Sequence, residues 1–600
     1  MAGNIYRKRL AAVRALMAKK KLDALIVPSS DPHLGEYVPD HWRVIRWLIG
    51  FSGSVGTVVI TRNFAGLWTD SRYFLQAEEQ LAGSGFELVR LKIPHTPEHI
   101  DWIREKAREG WRVGVDGRLI SVGNYRLLKA ALEPAGARLD IRADLISGLW
   151  LERPALPAEE AYELELRYTG QTRSEKLEHV RRRMSEIDAD YQLLTACDDI
   201  MWLLNIRGHD LQYSPLLLSF AIVSHDQVIL FADEEKFSGQ LKAALDRDGV
   251  VLLPYDTVSS VLAHLEEGFV LLLSPGTTSA ALFRSLPRKI RMAEDLSIPA
   301  RLKALKNSTE LNNLTEVMIG DGVVMTNFLY WLEGAVSSEK VTEISAAARL
   351  DMMRVGQEGC TGPSFSTIAA YDAHGALPHY VPDKTTDVQL MDRGIFLLDS
   401  GGQYFGGTTD ITRTVALGRA DTRMKTDFTL ALKGTIALAM VKFPRGTRGY
   451  QLDILARKAL WDNGLNYGHG TGHGVGSFLN VHEGPQSIGT GASGDMKSCI
   501  EPGMVISDEP AIYRPGLYGF RTENLLVCRE DRETEHGSFL AFDTVTLCYI
   551  DRELIDASLL DENETEWLNS YHERVYSLLS ELLEPDVRKW LKNKTSPLKR

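Results

Sequence analysis

Four acidic residues, Asp399, Asp410, Glu509 and Glu523, interrupt apolar runs in two glycine-centred segments, GIFLLDSGGQYFGGTTDITRTVALG (394–418) and GMVISDEPAIYRPGLYGFRTENLLVC (503–528). Each segment reads as two strands joined by turn residues. Folded symmetrically about Tyr404 and Phe405, the first sets Asp399 opposite Asp410; folded about Gly516, the second sets Glu509 opposite Glu523. Like charges facing each other at about 5 Å destabilise a sheet, so the carboxylates either point into solvent or are offset. Clustered and partly buried, they would titrate abnormally high or be neutralised by cations. Two divalent ions would balance four negative charges. Hard oxygen donors suit manganese, magnesium or cobalt, and a histidine tilts the choice toward transition metals.

Histidine is at hand in YGHGTGHGVGSFLNVHEGP, Tyr467 to Pro485, which sets His469, His473 and His482 among six glycines. The i, i+4 spacing of His469 and His473 could chelate one metal from a helix, but glycine at every second position disfavours a helix. On an extended or looped backbone the two would point differently, one to a metal and one to a substrate. A phosphate-binding loop is disfavoured by the missing GK[ST] lysine, and a flexible linker by the apolar VGSFLNV that follows. With no GxSxG, no HExxH and no histidine-paired cysteine signature, metal-activated water is favoured over serine or cysteine catalysis.

These segments need a scaffold, and 600 residues exceed what one hydrophobic core accommodates. The first part alternates helix (Ile5 to Lys20), strand (Leu22 to Val27), helix, strands GTVVIT and AGLWTD, and helix (Ser71 to Leu81), an α/β pattern. The order recurs in the helix Ser174 to Ile187, the strand YQLLTA, a helix at DDIMWLLN, and the strands SFAIVS and VILFAD. The offset of about 165 residues predicts two related domains. WLERPALPAEEA, Trp150 to Ala161, reads as a linker. A long amphipathic helix from about Ser308 opens the glycine- and histidine-rich third domain, giving divisions of 1–157, 158–305 and 306–600. The closing DENETEWLNSYHERVYSLLSELLEPDVRKWLKN reads as one or two helices, packed on that domain or against a partner subunit.

The net charge of -12 argues against a nucleic-acid binder. Five widely spaced cysteines favour a reducing compartment. No apolar stretch reaches the roughly 18 residues of a membrane span, so the expectation is a cytoplasmic protein with neither nucleic-acid nor membrane partners.

LLDSGGQYFGGTTDITRT, GHGTGHGVGSFLNVHEGP, SDEPAIY and FRTENLL together resemble the metal-binding motifs of the pita-bread metallopeptidases of family M24, and among them the three-domain Xaa-Pro aminopeptidases. The resemblance spans the chain. It implies an α/β and α+β architecture: two related creatinase-N-like α/β domains, then a pita-bread catalytic domain with a helical extension. It implies Asp399, Asp410, His473, Glu509 and Glu523 as ligands of two divalent metal ions, usually manganese, with cobalt or zinc as alternatives. It assigns catalytic roles to Glu509, His379, His469 and His482, and a place at the substrate to His379, His469, His482 and Arg521, the last also as the arginine that holds a ligating carboxylate. His379, in LPHYVP, has no signal apart from the resemblance and would otherwise read as a loop histidine beside two prolines.

The implied reaction is hydrolysis of the N-terminal Xaa-Pro bond of a peptide by a hydroxide bridging the two ions, with Glu509 as general base and His482 or His469 at the oxyanion. The implied partners are peptides with proline in second position and a second copy of the chain, joined through the catalytic domain. Prolidase shares the metal set, and methionine aminopeptidase and creatinase share the catalytic fold, but the extra α/β domain favours the aminopeptidases. Metal-free relatives that bind histones or RNA have replaced ligands, and here all five positions carry the expected type.

Overall fold

The computed structural model describes residues 2–93, 96–491 and 498–599. It divides into two compact units, one of residues 1–165 and 171–302, the other of 166–170 and 303–600. The first two expected domains therefore share one unit, except for a five-residue strap, 166–170, near the start of the second, which belongs to the other.

The first unit holds two six-stranded sheets. One is built from β1 (Ala24–Pro28), β2 (Thr57–Thr61), β3 (Ala65–Thr69), β4 (Glu87–Arg90), β5 (Arg112–Val115) and β6 (Arg138–Asp140), in the order β4-β3-β2-β1-β5-β6. The other is built from β7 (Tyr191–Leu194), β8 (Phe220–Ser224), β9 (Val228–Ala232), β10 (Val250–Pro254), β11 (Val270–Leu273) and β12 (Arg291–Glu294), in the order β10-β9-β8-β7-β11-β12. Order and strand directions match throughout: the two strands that follow the first pair antiparallel in turn, and the outer strands run parallel to their neighbours. The repeat expected from the sequence is thus a repeat of topology. Val, Ile and Leu fill the central strands because both faces are covered by helices. The two halves are joined at His33, whose Nδ1 donates to the Thr195 carbonyl at 2.9 Å and whose Nε2 lies 2.8 Å from the Tyr255 hydroxyl.

In the second unit, the Ser308–Ser338 helix begins with a capping box in which Asn307 and Glu310 satisfy each other's backbone N–H groups. The strap lies against this end: the Asn307 side chain donates to the Thr169 carbonyl and the Asn313 side chain to that of Arg167, each at 2.9 Å. Tyr168 reaches the Phe405 ring, 5.6 Å between centroids. The C-terminal helices, Glu562–Leu579 and Pro585–Lys594, bury Leu568, Val575, Leu579 and Leu591 in the same core as Phe328, Phe396 and Phe428.

Two strand pairs carry the acidic residues. β13 (Ile395–Ser400) pairs antiparallel with β14 (Ile411–Ala416), and here the structure corrects the expected register: Asp399 faces Thr412, and Asp410 lies just before β14. The turn is centred between Phe405 and Gly406, so the strands slip by two residues. Because side chains alternate with period two, the slip keeps both aspartates on one face, as diagonal rather than direct neighbours. The second hairpin holds the expected register. β15 (Val505–Asp508) pairs with β18 (Asn524–Thr534), and β16 (Ala511–Arg514) with β17 (Tyr518–Arg521), in one continuous alignment about Gly516 that leaves Glu509 and Glu523 at facing positions.

Candidate metal centre

The side chains of Asp410, His473 and Glu523 converge so that one ligand atom from each lies within 4.8 Å of the others. His473 Nε2 is 3.4 Å from Asp410 Oδ2 and 3.8 Å from Glu509 Oε1. Its Nδ1 donates to the Gly474 carbonyl at 3.0 Å, which turns Nε2 toward the carboxylates. Asp399 enters through Arg521, whose Nη2 donates to Asp399 Oδ2 at 2.6 Å. The other Asp399 oxygen is enclosed and has no hydrogen-bond partner.

Burial raises every carboxyl of this group for which a shift is resolved. Asp399 is raised by desolvation, with the Arg521 charge opposing and Asp410 adding to it. Glu523 is held well above the ordinary range by burial and by Asp410, Glu509 and Asp399. Glu509 is pushed up to about 7 by burial, against the charges of His473 and Arg521. For His473 burial acts downward, yet the hydrogen bond and charge of Asp410 and the charge of Glu509 lift it to about 9. Such carboxylates strain against one another unless protons or cations intervene. An enclosed, unpartnered carboxylate oxygen, three further carboxylates and an inward-turned imidazole nitrogen form a donor set that fits divalent cations.

The surroundings hold these groups in place. Arg521 is buried, and besides Asp399 it donates from Nη1 to the Tyr513 hydroxyl at 2.6 Å and from Nε to Thr412 Oγ1 at 3.0 Å. The Thr412 hydroxyl in turn donates a hydrogen bond to Glu523 Oε2 at 2.7 Å. With all three nitrogens so engaged, Arg521 holds Asp399 directly and Glu523 by way of Thr412.

The glycine-rich stretch is looped, with only Gly472–His473 pairing as a short strand with Ser487–Ile488. Two of its glycines are required by close approach. A Cβ on Gly472 would lie 1.9 Å from the Ser507 carbonyl, and one on Gly474 would lie 2.0 Å from that of Glu483. The histidines of this stretch make different contacts. The His482 ring stands edge-on to His473 with centroids 4.3 Å apart. His469 Nδ1 donates to the Gly470 carbonyl at 2.7 Å and lies 3.7 Å from Glu509 Oε2, while Nε2 lies 2.9 Å from the Tyr513 hydroxyl. Behind His482, the buried Glu483 pairs with Lys306 and, at 3.4 Å, with Lys303. His379 sits in the turn from Leu377 to Tyr380. Its neighbour Tyr380 donates to Glu343 Oε2 at 2.7 Å, and Glu343 also accepts from His374 Nδ1 and the Tyr371 N–H.

Sequence reasoning did not single out Thr412, Tyr513, Glu343, Lys303, Lys306 or Arg457. Their positions carry no local signal, since charged and hydroxyl side chains on helices and strand ends ordinarily face solvent.

Comparison with known proteins gives a consistent picture. Residues 312–530 match metallopeptidase family M24, residues 538–598 its C-terminal region, and residues 9–143 and 152–310 two forms of the creatinase/prolidase N-terminal domain. A protein of Aspergillus fumigatus named "Probable Xaa-Pro aminopeptidase P" is 38% identical over 609 residues, 98% of this chain and 92% of the relative. One of the same name from Aspergillus niger is 37% identical over 608 residues, 98% of either chain. Among solved structures, the X-prolyl aminopeptidase of Caenorhabditis elegans, described as a cytosolic enzyme with a di-nuclear active site, superposes with a TM-score of 0.94 at 35% identity, covering 99% of this chain and 100% of that one.

Proposed function

The chain belongs to metallopeptidase family M24, and on that premise we propose that it hydrolyses the N-terminal Xaa-Pro bond of peptides with two divalent ions bound at Asp399, Asp410, His473, Glu509 and Glu523. What supports this reading is the approach of Asp410, His473 and Glu523 to one another, with Glu509 3.8 Å from His473 and Asp399 held by Arg521, in a chain that matches aminopeptidase P relatives over nearly its whole length.

Ions held there would polarise the scissile carbonyl and bring a water to nucleophilic strength near neutral pH. The protein's own groups do the rest. Glu509 takes the proton of the attacking water and returns it to the departing proline nitrogen. That nitrogen belongs to a tertiary amide and has no N–H until the bond breaks, so the proton has to be delivered. Arg521 and Thr412 keep Asp399 and Glu523 from turning away. His469, whose Nδ1 lies 3.7 Å from Glu509 Oε2, steadies that carboxylate, and the oxyanion is met by His482 or His469.

The oxygen-rich donor set with one histidine supports manganese. Five unpaired cysteines support the cytoplasm, and no helix among the described residues is long and apolar enough to cross a membrane. Tyr450, Ile454 and Trp461, exposed on the Gly449–Trp461 helix at i, i+4 and i+11, support a homodimer through the catalytic domain, which sedimentation of a Trp461→Glu variant would dissolve.

The deciding experiment supplies manganese to the protein and offers Xaa-Pro-Yaa tripeptides beside Xaa-Pro dipeptides. Release of the first residue from tripeptides is expected. Cleavage confined to dipeptides would make the protein a prolidase, and cleavage of neither would make it a binding protein.

A further inference from the structure

The stretch carrying His469 and His473 has glycine at every second position from Gly468 to Gly476. Glycine gives up more backbone freedom on folding than any other residue. An imidazole on such a backbone is only as well placed as the backbone itself, so something must fix the chain on either side of it.

Arg457, on the Gly449–Trp461 helix, is 1% exposed and reaches into this loop. Its Nη1 donates to the Tyr467 carbonyl and its Nη2 to the His469 carbonyl, each at 2.8 Å, and Nη1 also meets Asn466 Oδ1 at 3.1 Å. The guanidinium carbon lies 3.9 Å from the centroid of the Tyr467 ring. Asp453, one helical turn earlier, orients the fork by accepting from Arg457 Nε at 2.7 Å. The other Asp453 oxygen accepts the Thr471 hydroxyl at 2.5 Å. Because Thr471 has a single proton to give, the Tyr467 hydroxyl, 2.5 Å away, donates to Thr471. The Thr471 carbonyl in turn accepts the Glu509 N–H at 2.8 Å. One helical turn thus grips the backbone on both sides of His469 and, through Thr471, the backbone of Glu509.

We propose that Arg457, oriented by Asp453, is a positioning residue that fixes His469 against Glu509 for the hydrolysis described above, on which this inference rests. The contacts described for Arg457 go to the Asp453 carboxylate, two backbone carbonyls, a ring face and an amide, which is how it acts on His469 without entering the reaction. A lysine can satisfy one carbonyl with its point charge but cannot span two with a planar fork. Released, the glycine loop lets His469 wander from its 3.7 Å approach to Glu509. Misplacement of a working group by about 1 Å costs on the order of 100-fold in rate.

The test is a double-mutant cycle in the manganese-loaded, full-length protein on an Xaa-Pro-Yaa tripeptide, with Arg457→Lys, His469→Ala and their combination. Arg457→Lys is expected to lower kcat about 10- to 100-fold, with KM and bound metal within about twofold of wild type. The double variant is expected to be no slower than His469→Ala alone, within about threefold, because the clamp acts through that residue. A full further loss on top of His469→Ala, or unchanged kcat in Arg457→Lys, overturns the proposal. Should Arg457→Lys not fold, Asp453→Asn, which weakens the hold on Arg457 Nε, carries the same cycle. A readout independent of turnover is the histidine-ring NMR spectrum of the metal-free protein, where the His469 signals, identified by their loss in His469→Ala, should shift and broaden in Arg457→Lys. An unchanged His469 signal refutes the clamp. Absence of any Xaa-Pro cleavage by wild type would instead remove the functional reading and leave the NMR comparison to decide the positioning role.

Discussion

Loading the site with metal should expel protons, and the number is set by the groups that hold them. In the metal-free protein His473 titrates near 9 and Glu509 near 7. A metal requires the neutral imidazole and the carboxylate, so each proton bound beforehand is released on loading. From these two groups alone, filling the site displaces about two protons at pH 6, about 1.5 at pH 7 and about one at pH 8. Asp399 and Glu523, also raised, add to the count. By linkage, the logarithm of the overall affinity climbs with pH at a slope equal to that number, so binding tightens roughly 30-fold per unit near pH 7 and more gently toward pH 8. The sign is fixed: a raised folded-state pKa means a proton that competes with the metal, and the competition fades as pH rises through that pKa. The assay is calorimetric titration of manganese into metal-free protein at pH 6, 7 and 8, in paired buffers of different ionisation enthalpy. His473→Ala should lower the release at pH 7, by less than one proton because without the His473 charge Glu509 holds its own proton more tightly. Release below about half a proton at pH 7, or release that grows with pH, would show that Asp410 and Glu509 do not hold His473 in its charged form.

His469→Ala is expected to keep its metal by elemental analysis while losing about 100-fold in kcat, since the residue steadies Glu509 without ligating; loss of metal would refute this placement. Lys306→Met leaves Glu483 buried, with only Lys303 at 3.4 Å, and should cost about 3 kcal/mol in denaturant unfolding, a loss that Glu483→Gln relieves in the double variant; simple additivity would contradict the pairing. Gly472→Ala forces a Cβ to within 1.9 Å of the Ser507 carbonyl, and the repacking should cost about 3 kcal/mol, or roughly 5 °C in the unfolding midpoint. An unchanged midpoint would mean that the loop can move aside. The metal-free protein should also lose His473's share of its stability as pH rises: that share is full below 6.5 and gone once pH has passed about 9.

What the sequence makes legible follows the range over which each signal acts. Glu509 and Glu523 are readable as facing positions because Arg514, Pro515 and Gly516 mark the turn and the register follows from it. Asp399 and Asp410 are readable only to parity: in QYFGG several centres are sterically acceptable, and the one chosen shifts the strands by two residues while keeping both carboxylates on one face. The paired sheets are legible in β1 to β3 and β7 to β9, which are apolar runs. The edge strands β4 and β6, of four and three residues, are too short and too mixed in polarity to show a period. The supports of the site escape altogether. Lys303 and Lys306 in RLKALKNS look like any solvated helix, and their partner lies 177 residues away from Lys306. Glu343 looks like a first-turn acid, and only the fold brings Tyr371, His374 and Tyr380 onto it. His379 is reachable through resemblance alone.

The strap Leu166–Gly170 bears on how such a protein can be inherited and rebuilt. Five residues lying between the two six-stranded sheets along the chain belong to the unit that holds the carboxylates, and their carbonyls accept from Asn307 and Asn313 at the start of its long helix. A recombination or an engineered fusion that joins foreign sequence at residue 303 discards them, leaving the side-chain NH2 groups of those two asparagines without the strap carbonyls and Phe405 without the Tyr168 ring. The catalytic half is therefore not a cassette that one junction can move. Its ancestry and its redesign both have to carry the second sheet domain along, or supply a substitute for a strap that encodes no chemistry of its own.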